Sequence, residues 1–298
     1  MPPTTSPISR SLLALSLALL ATAASARVCV DDDADRRVCL EQPARRIVAL
    51  SPGATELLYD AGAGDRLVGA VSFSDYPSEA KALPRVGSYK RLDLEAILAL
   101  KPDLVVAWVS GNPATQVERL ETLGLNVYRG EPLRFAEVAG TLERLAVLAG
   151  TEPAGRAAAA RFRDGITELR DRFAGADPVT VFYEVWEEPL MTVNGEHLIS
   201  EAIRTCGGVN VFADLPGLAP RIGTEAVIAA DPEAIVAGGM GENNPAWLTP
   251  WKRFQALTAV QRDNLFFVPP STLQRPTPQM LDGTRLLCDH LERARARR

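Results

Sequence analysis

Ser51 stands in "LSPGATELL", where an apolar run meets a tight Ser-Pro-Gly loop and then a helix-like run. Loops between a strand's carboxyl end and a helix's amino end are where α/β proteins bind ligands, so this one could cradle a phosphate, present a nucleophile or simply turn. No G-x-S-x-G surrounds Ser51, and Ser78 opens an S-x-x-K ("SEAK") that has no S-D-N or K-T-G partner. The chain holds two histidines, His197 and His290. A serine hydrolase built on Ser51 or Ser78 therefore stands as a remote reading, short of a base. "GAGDRLVG" (62–69) departs from G-x-G-x-x-G and follows a helix, so it reads as a helix stop, and no P-loop occurs. With two isolated histidines and no C-x₂-C, no metal site is expected.

Aromatic residues are placed more suggestively. Phe73 and Tyr76 lie in the loop after one strand, Tyr89 in the next loop, Trp108 at the end of another strand, and Trp186 in the polar context "EVWEEP". Large rings on strand-end loops can stack on a planar ligand, which points to binding rather than turnover. Trp247 and Trp251 ("NPAWLTPWKRF") read instead as a packing edge.

Arg10 and the apolar run "SLLALSLALLATAA", followed by Ala24-Ser25-Ala26, make residues 1–26 a secretory signal peptide. The expected mature protein is exported, soluble and not inserted in the membrane. A formal net charge of −5 with no internal basic run makes nucleic acid an unfavoured partner. The four cysteines allow three connectivities; in an oxidising compartment the simplest pairs Cys29 with Cys39 and Cys206 with Cys288.

The elements that would carry these residues alternate. Strands are expected at 47–50, 67–71, 104–108 and 127–128, and helices at 54–61, 93–99 and 114–123, a rhythm that argues for a mostly parallel sheet. Helices at 135–149 and from Thr151 to about residue 173 follow, and a strand at 179–185 restarts the pattern. "LEAILALKPDLVVAW" (94–108) matches "TEAVIAADPEAIVAG" (224–238) in register, aligning Glu95 with Glu225 and Pro102 with Pro232. The repeat implies two related α/β lobes: an N-lobe over 27–149, a connecting helix over 150–176 and a C-lobe over 177–298, with the ligand cleft between them.

Taken together, "RIVALSPGATELLYDAGAGDRLVGA", "SDYP", "LDLEAILALKPDLVVAW", "CGGVNVFAD", "GTEAVIAADPEAIV" and "RPTPQM" resemble the helical-backbone periplasmic substrate-binding proteins of ABC importers, the group that takes up cobalamin, haem and ferric siderophores. "SFSDYP", "YEVWEEPLMTV", "RTCGGVNVFADL" and a cysteine at 206 joined to one near 288 are most similar to the cobalamin-binding branch. The resemblance implies two Rossmann-like αβ lobes joined by one long helix. It implies corrinoid capture without catalysis or a resident cofactor, and delivery in the periplasm to a permease dimer with its ATPase subunits. Haem or a ferric siderophore on the same scaffold is the alternative ligand. The residues implied to contact ligand are Ser51, Pro52, Gly53, Phe73, Tyr76, Tyr89, Trp108, Trp186 and Arg275, while Glu95 and Glu225 match the family's paired permease-docking glutamates. Arg275 could meet a corrin amide or brace the "RPTP" loop. Tyr89 stands where the cobalamin branch carries tryptophan, and that branch's aromatics near Leu218, Ala219 and Leu273 are missing.

Overall fold

The computed structural model describes residues 27–239 and 241–298, so the leader read from residues 1–26 lies outside the described residues. An antiparallel hairpin of β1 (Val28–Asp31) and β2 (Arg37–Leu40) opens the chain, with Cys29 opposite Cys39 and bonded to it. The N-lobe sheet is built from β3 (Ile47–Ala49) and β4 (Leu67–Ala70), then, beyond a short hairpin of β5 (Gly87–Ser88) and β6 (Arg91–Leu92), from β7 (Leu104–Trp108) and β8 (Val127–Gly130). Its strands are parallel in the order β4-β3-β7-β8. Helices α1 (Pro52–Asp60), α2 (Leu94–Ala99) and α3 (Ala114–Thr122) make the crossovers. The first begins two residues earlier than the sequence suggests. Ser51 Oγ accepts from the Ala54 N–H as N-cap, and Pro52 sits in the first turn, where its missing N–H costs nothing.

Helices α4 (Phe135–Ala149) and α5 (Glu152–Phe173) follow, separated by Gly150 in the left-handed conformation. Each buries a stripe at three- and four-residue spacing, Val138-Leu142-Leu145-Ala149 on one and Ala158-Phe162-Ile166-Leu169 on the other. Gly155 permits their close approach: a Cβ there would lie 2.2 Å from the Ala146 Cβ and 2.9 Å from the Leu142 carbonyl.

The C-lobe repeats the plan with β9 (Val179–Glu184), α6 (Leu198–Thr205), β10 (Gly208–Asn210), α7 (Thr224–Ala230), β11 (Ala234–Ala237), α8 (Thr258–Gln261), β12 (Leu265–Phe267), α9 (Pro270–Leu273) and α10 (Met280–Ala296). Its parallel order, β10-β9-β11-β12, is the N-lobe order again. The internal repeat falls on α2–β7 and α7–β11, and extends to detail. Lys101 and Asp231, matched in the repeat and each preceding proline, both take positive φ, 45° and 40°. In the following turn, Asp103 accepts from the Arg45 and Arg46 N–H groups beside β3, and Glu233 accepts from the Thr180 N–H in β9. Asn126 and Asn264 donate to the carbonyls of those two acids. Two lobes that end helices and brace strands alike are two copies of one unit.

The lobes also share a core. One apolar cluster runs from Ile47 and Leu104 through Leu142 and Phe162 to Val181 and Leu287. Opening the lobes widely would expose part of it at about 25 cal/mol per Å². Ligand-free and ligand-bound crystal structures are therefore expected to differ without a large domain rotation.

Candidate functional site

A cavity of about 370 Å³ lies between the lobes. Its walls come from segments that follow strand carboxyl ends in both sheets: Ser51–Gly53 after β3, Phe73 after β4, Trp108 ending β7, Trp186 after β9 and the 270–276 segment after β12. Of the residues expected at a ligand, all but Tyr76 line it. Tyr76, three residues past Phe73 in the same loop, is exposed and stands outside the lining. Gly53 is buried against the C-lobe, where an added Cβ would sit 3.7 Å from Thr277 and 3.8 Å from Pro276, so the Ser-Pro-Gly lip is also where the lobes meet.

Two rings stand free at the rims. Phe73 is 68% exposed and Trp186 43%. Phe73 holds φ at +66°, a conformation that costs a bulky residue on the order of 1 kcal/mol or more and is kept where the surroundings impose it. Trp186 is fixed from behind: its indole N–H donates to the Glu188 carbonyl at 2.9 Å, and its ring stands edge-on to buried Trp247 at 5.7 Å. Trp251, the second residue of that packing edge, donates to Glu184 at 2.7 Å, and burial pushes this carboxyl up to about 7.

The N-lobe wall is braced by polar residues that no motif announces. Asn112, buried between the lobe's loops, donates to the carbonyls of Leu50 (2.9 Å) and Tyr89 (3.0 Å) and accepts from the Trp108 N–H (2.7 Å). It joins the loops that carry Ser51, Tyr89 and Trp108. The Tyr89 and Trp108 rings lie 5.7 Å apart, and Gly111 crosses the indole so closely that a Cβ would lie 1.9 Å from a ring carbon. Behind them, the Trp108 indole N–H reaches Glu131, whose backbone N–H donates to Asp33 in the disulfide-closed hairpin at 2.7 Å. Asp33 also pairs with Arg144, and Arg144 donates to the Tyr128 hydroxyl at 2.9 Å. Tyr128 lines the cavity fully buried, with its phenol pushed up to about 12 by that burial, so it stays neutral.

Across the cleft, Arg275 donates to Glu56 on α1 at 2.5 Å, and Gln279 donates to the second carboxylate oxygen at 2.9 Å. Arg275 thus both lines the cavity and ties the C-lobe loop to the N-lobe. Leu273, where the sequence lacks an expected aromatic, is buried in the core and not in the cavity lining. Both histidines are engaged elsewhere: His197 accepts from the Ile199 N–H as helix cap, and His290 stacks on Phe266. Neither lines the cavity with Ser51, whose hydroxyl caps α1.

Cys206, capping α6, is bonded to Cys288 within α10, and both are buried. Glu95 and Glu225 are both exposed at the second position of α2 and α7. Crossover helices run antiparallel to their strands, so these helix N-termini lie on the strands' carboxyl side, where the cleft opens.

An aromatic cleft between two duplicated lobes, at the carboxyl ends of two parallel sheets, defines a ligand-capture protein. The chain belongs to the periplasmic binding protein family, whose model matches residues 47–272. It is 37% identical to the vitamin B12-binding protein of Vibrio cholerae serotype O1 over 245 residues, 82% of this chain and 88% of that one. To the vitamin B12-binding protein of Yersinia pestis it is 40% identical over 191 residues, 64% of this chain and 68% of the relative. Among solved structures, the periplasmic vitamin B12-binding protein BtuF of Vibrio cholerae superposes with a TM-score of 0.79 at 37% identity, covering 85% of this chain and 98% of its own. The periplasmic haem-binding protein RhuT from Roseiflexus sp. RS-1 shares the fold, with a TM-score of 0.75 at 22% identity over 84% and 99% of the two chains.

Proposed function

We propose that this protein, exported by its leader and soluble in the periplasm, captures vitamin B12 or a closely related corrinoid and hands it to an ABC importer. The observation that carries the reading is the cavity lining: rings on both lobes and, among the described residues, Glu242 and Arg275 as its only charged groups. The likeness to vitamin B12-binding proteins supports it. A corrin is flat, broad and rimmed by amides, which suits rings above and below and polar atoms at the edges. Among the described residues the lining offers haem no histidine or methionine; Tyr89 is the phenol open to act as an axial ligand, which keeps haem as the second reading. An anionic siderophore would call for several free cations, and Arg85, Lys90 and Arg91 stand outside the lining.

The protein's work is binding rather than turnover. Titration with cyanocobalamin, cobinamide, haem and a ferric siderophore, followed by tryptophan quenching, tests it: sub-micromolar binding of a corrinoid supports the reading, and its absence overturns it. Trp186→Ala is expected to weaken corrinoid binding about ten- to hundredfold, since burying a large side chain contributes roughly 1.5–3 kcal/mol. Unchanged affinity would remove Trp186 from the site.

We further assign Glu95 and Glu225 to docking on a permease dimer. Two equal carboxylates on two equal lobes suit a twofold partner carrying arginines. Glu95→Arg together with Glu225→Arg is expected to abolish uptake by cells and leave corrinoid affinity within about twofold. Full uptake by that variant would exclude the assignment.

A further inference from the structure

Arg275 is the one cation lining the cavity among the described residues, and it is not free. Its guanidinium donates to Glu56 at 2.5 Å, and that carboxylate is 1% exposed. Glu56 lies one helical turn past the Ser-Pro-Gly lip on α1, and its other oxygen is taken by Gln279. The remaining lining charge, Glu242, is itself negative, and one of its oxygens accepts from the Ser271 hydroxyl at 2.6 Å.

Resting on the corrinoid reading, we propose that Glu56 is a specificity-determining residue: it neutralises Arg275 across the lobes, so that the cleft accepts a neutral amide-rimmed ligand and discriminates against the carboxylate-bearing analogue. The reason is electrostatic. A buried carboxylate paired with the guanidinium cancels most of its charge, which leaves little attraction for a ligand anion, and a ligand carboxylate would lose its hydration without that attraction to repay it. An amide avoids that penalty. Arg275 still has N–H groups not engaged by Glu56, and these can donate to an amide oxygen. The pair also joins α1 to the 275–279 loop, so the same contact that sets selectivity fixes the lobe spacing on which the aromatic walls depend.

Matched ligand pairs test this with shape held constant: cyanocobalamin against its mixed monocarboxylic acids, and haem against its dimethyl ester. The full mature protein is titrated with each. Glu56→Gln, isosteric but uncharged, is expected to shift the affinity ratio toward the carboxylate member about tenfold or more, because Arg275 then carries an uncompensated charge. Glu56→Gln with Arg275→Gln removes both charges together, a change that buried pairs tolerate. It is expected to keep the wild-type ratio within about twofold. If Arg275 instead serves as a free cation, the double variant loses carboxylate binding about tenfold and Glu56→Gln shifts nothing; either result overturns the proposal. The haem pair separates the two readings. A wild-type protein that binds haem and not cyanocobalamin refutes the corrinoid assignment, while the Glu56→Gln ratio between haem and its ester still decides the role of Glu56.

Discussion

Replacing Cys206 and Cys288 together by alanine is expected to destabilise the protein by about 4.5 kcal/mol. The bond joins residues 82 apart in sequence, and the chain-entropy cost of closing so long a loop in the unfolded state gives that magnitude. It ties the carboxyl end of α6 to the middle of α10, the helix that completes the C-lobe core with Leu287 and Leu291. Both sulfurs are buried, so alanine adds a small packing loss. For a chain of this size the change lowers Tm by roughly 10–15 °C. The companion bond closes a separation of only 10, and its removal is expected to cost less, about 2.7 kcal/mol in the same model. Thermal unfolding of the two double variants, followed by circular dichroism, checks both the size and the order. A Cys206/Cys288 variant melting within 2 °C of the parent would contradict the account of the C-lobe, with the threshold set at about half a kcal/mol.

Asn112→Ala carries the second large effect, and it falls on binding as well as stability. The amide closes three hydrogen bonds that join the segments carrying Ser51, Tyr89 and Trp108 to one another. Alanine leaves the Leu50 and Tyr89 carbonyls and the Trp108 N–H without those partners, at on the order of 1–3 kcal/mol for each group that stays buried and unpaired. Water reaching the space repays part of this, so a net loss of about 2–4 kcal/mol is expected. Affinity for the corrinoid should fall about tenfold or more, since Tyr89 and Trp108 no longer share one frame. Asn112→Asp sharpens the test. It keeps the size and the acceptor for Trp108 but turns two donated bonds into contacts between oxygens, so it is expected to do no better than alanine. Wild-type affinity in either variant would show that the wall needs no such bracket.

The duplicated units were open to inspection in the sequence because their signals are local. The helix, the residue–proline stop and the buried strand of 94–108 recur at 224–238, and α2–β7 and α7–β11 occupy those positions. The rings at Phe73, Tyr89, Trp108 and Trp186 were legible for a similar reason, since strand-end loops in a parallel sheet converge on one side. Asn112, Glu56, Tyr128 and Arg144 were not. Each is a single polar or aromatic residue held from another element: Asn112 meets Leu50 across 62 residues, Arg144 joins Tyr128 to Asp33, 111 residues away, and Glu56 meets Arg275 across 219. No spacing rule announces such a pair. "SGNP" around Asn112 signals a turn, yet a turn signal does not say that the amide will turn inward. Tyr76 shares that loop with Phe73 yet stands outside the cavity lining, so a ring in a strand-end loop is not by that alone part of the wall.

On the function proposed above, a flat, uncharged ligand is held between the aromatic faces of two nearly rigid lobes. A crystal structure of the mature protein with cyanocobalamin tests it most directly. The corrin is expected between Tyr89 and Trp108 on one side and Trp186 on the other, with the Glu56–Arg275 pair intact and the lobes placed as they are without ligand. A corrin bound outside the cleft, or lobes closed by a large rotation around it, would contradict the claim.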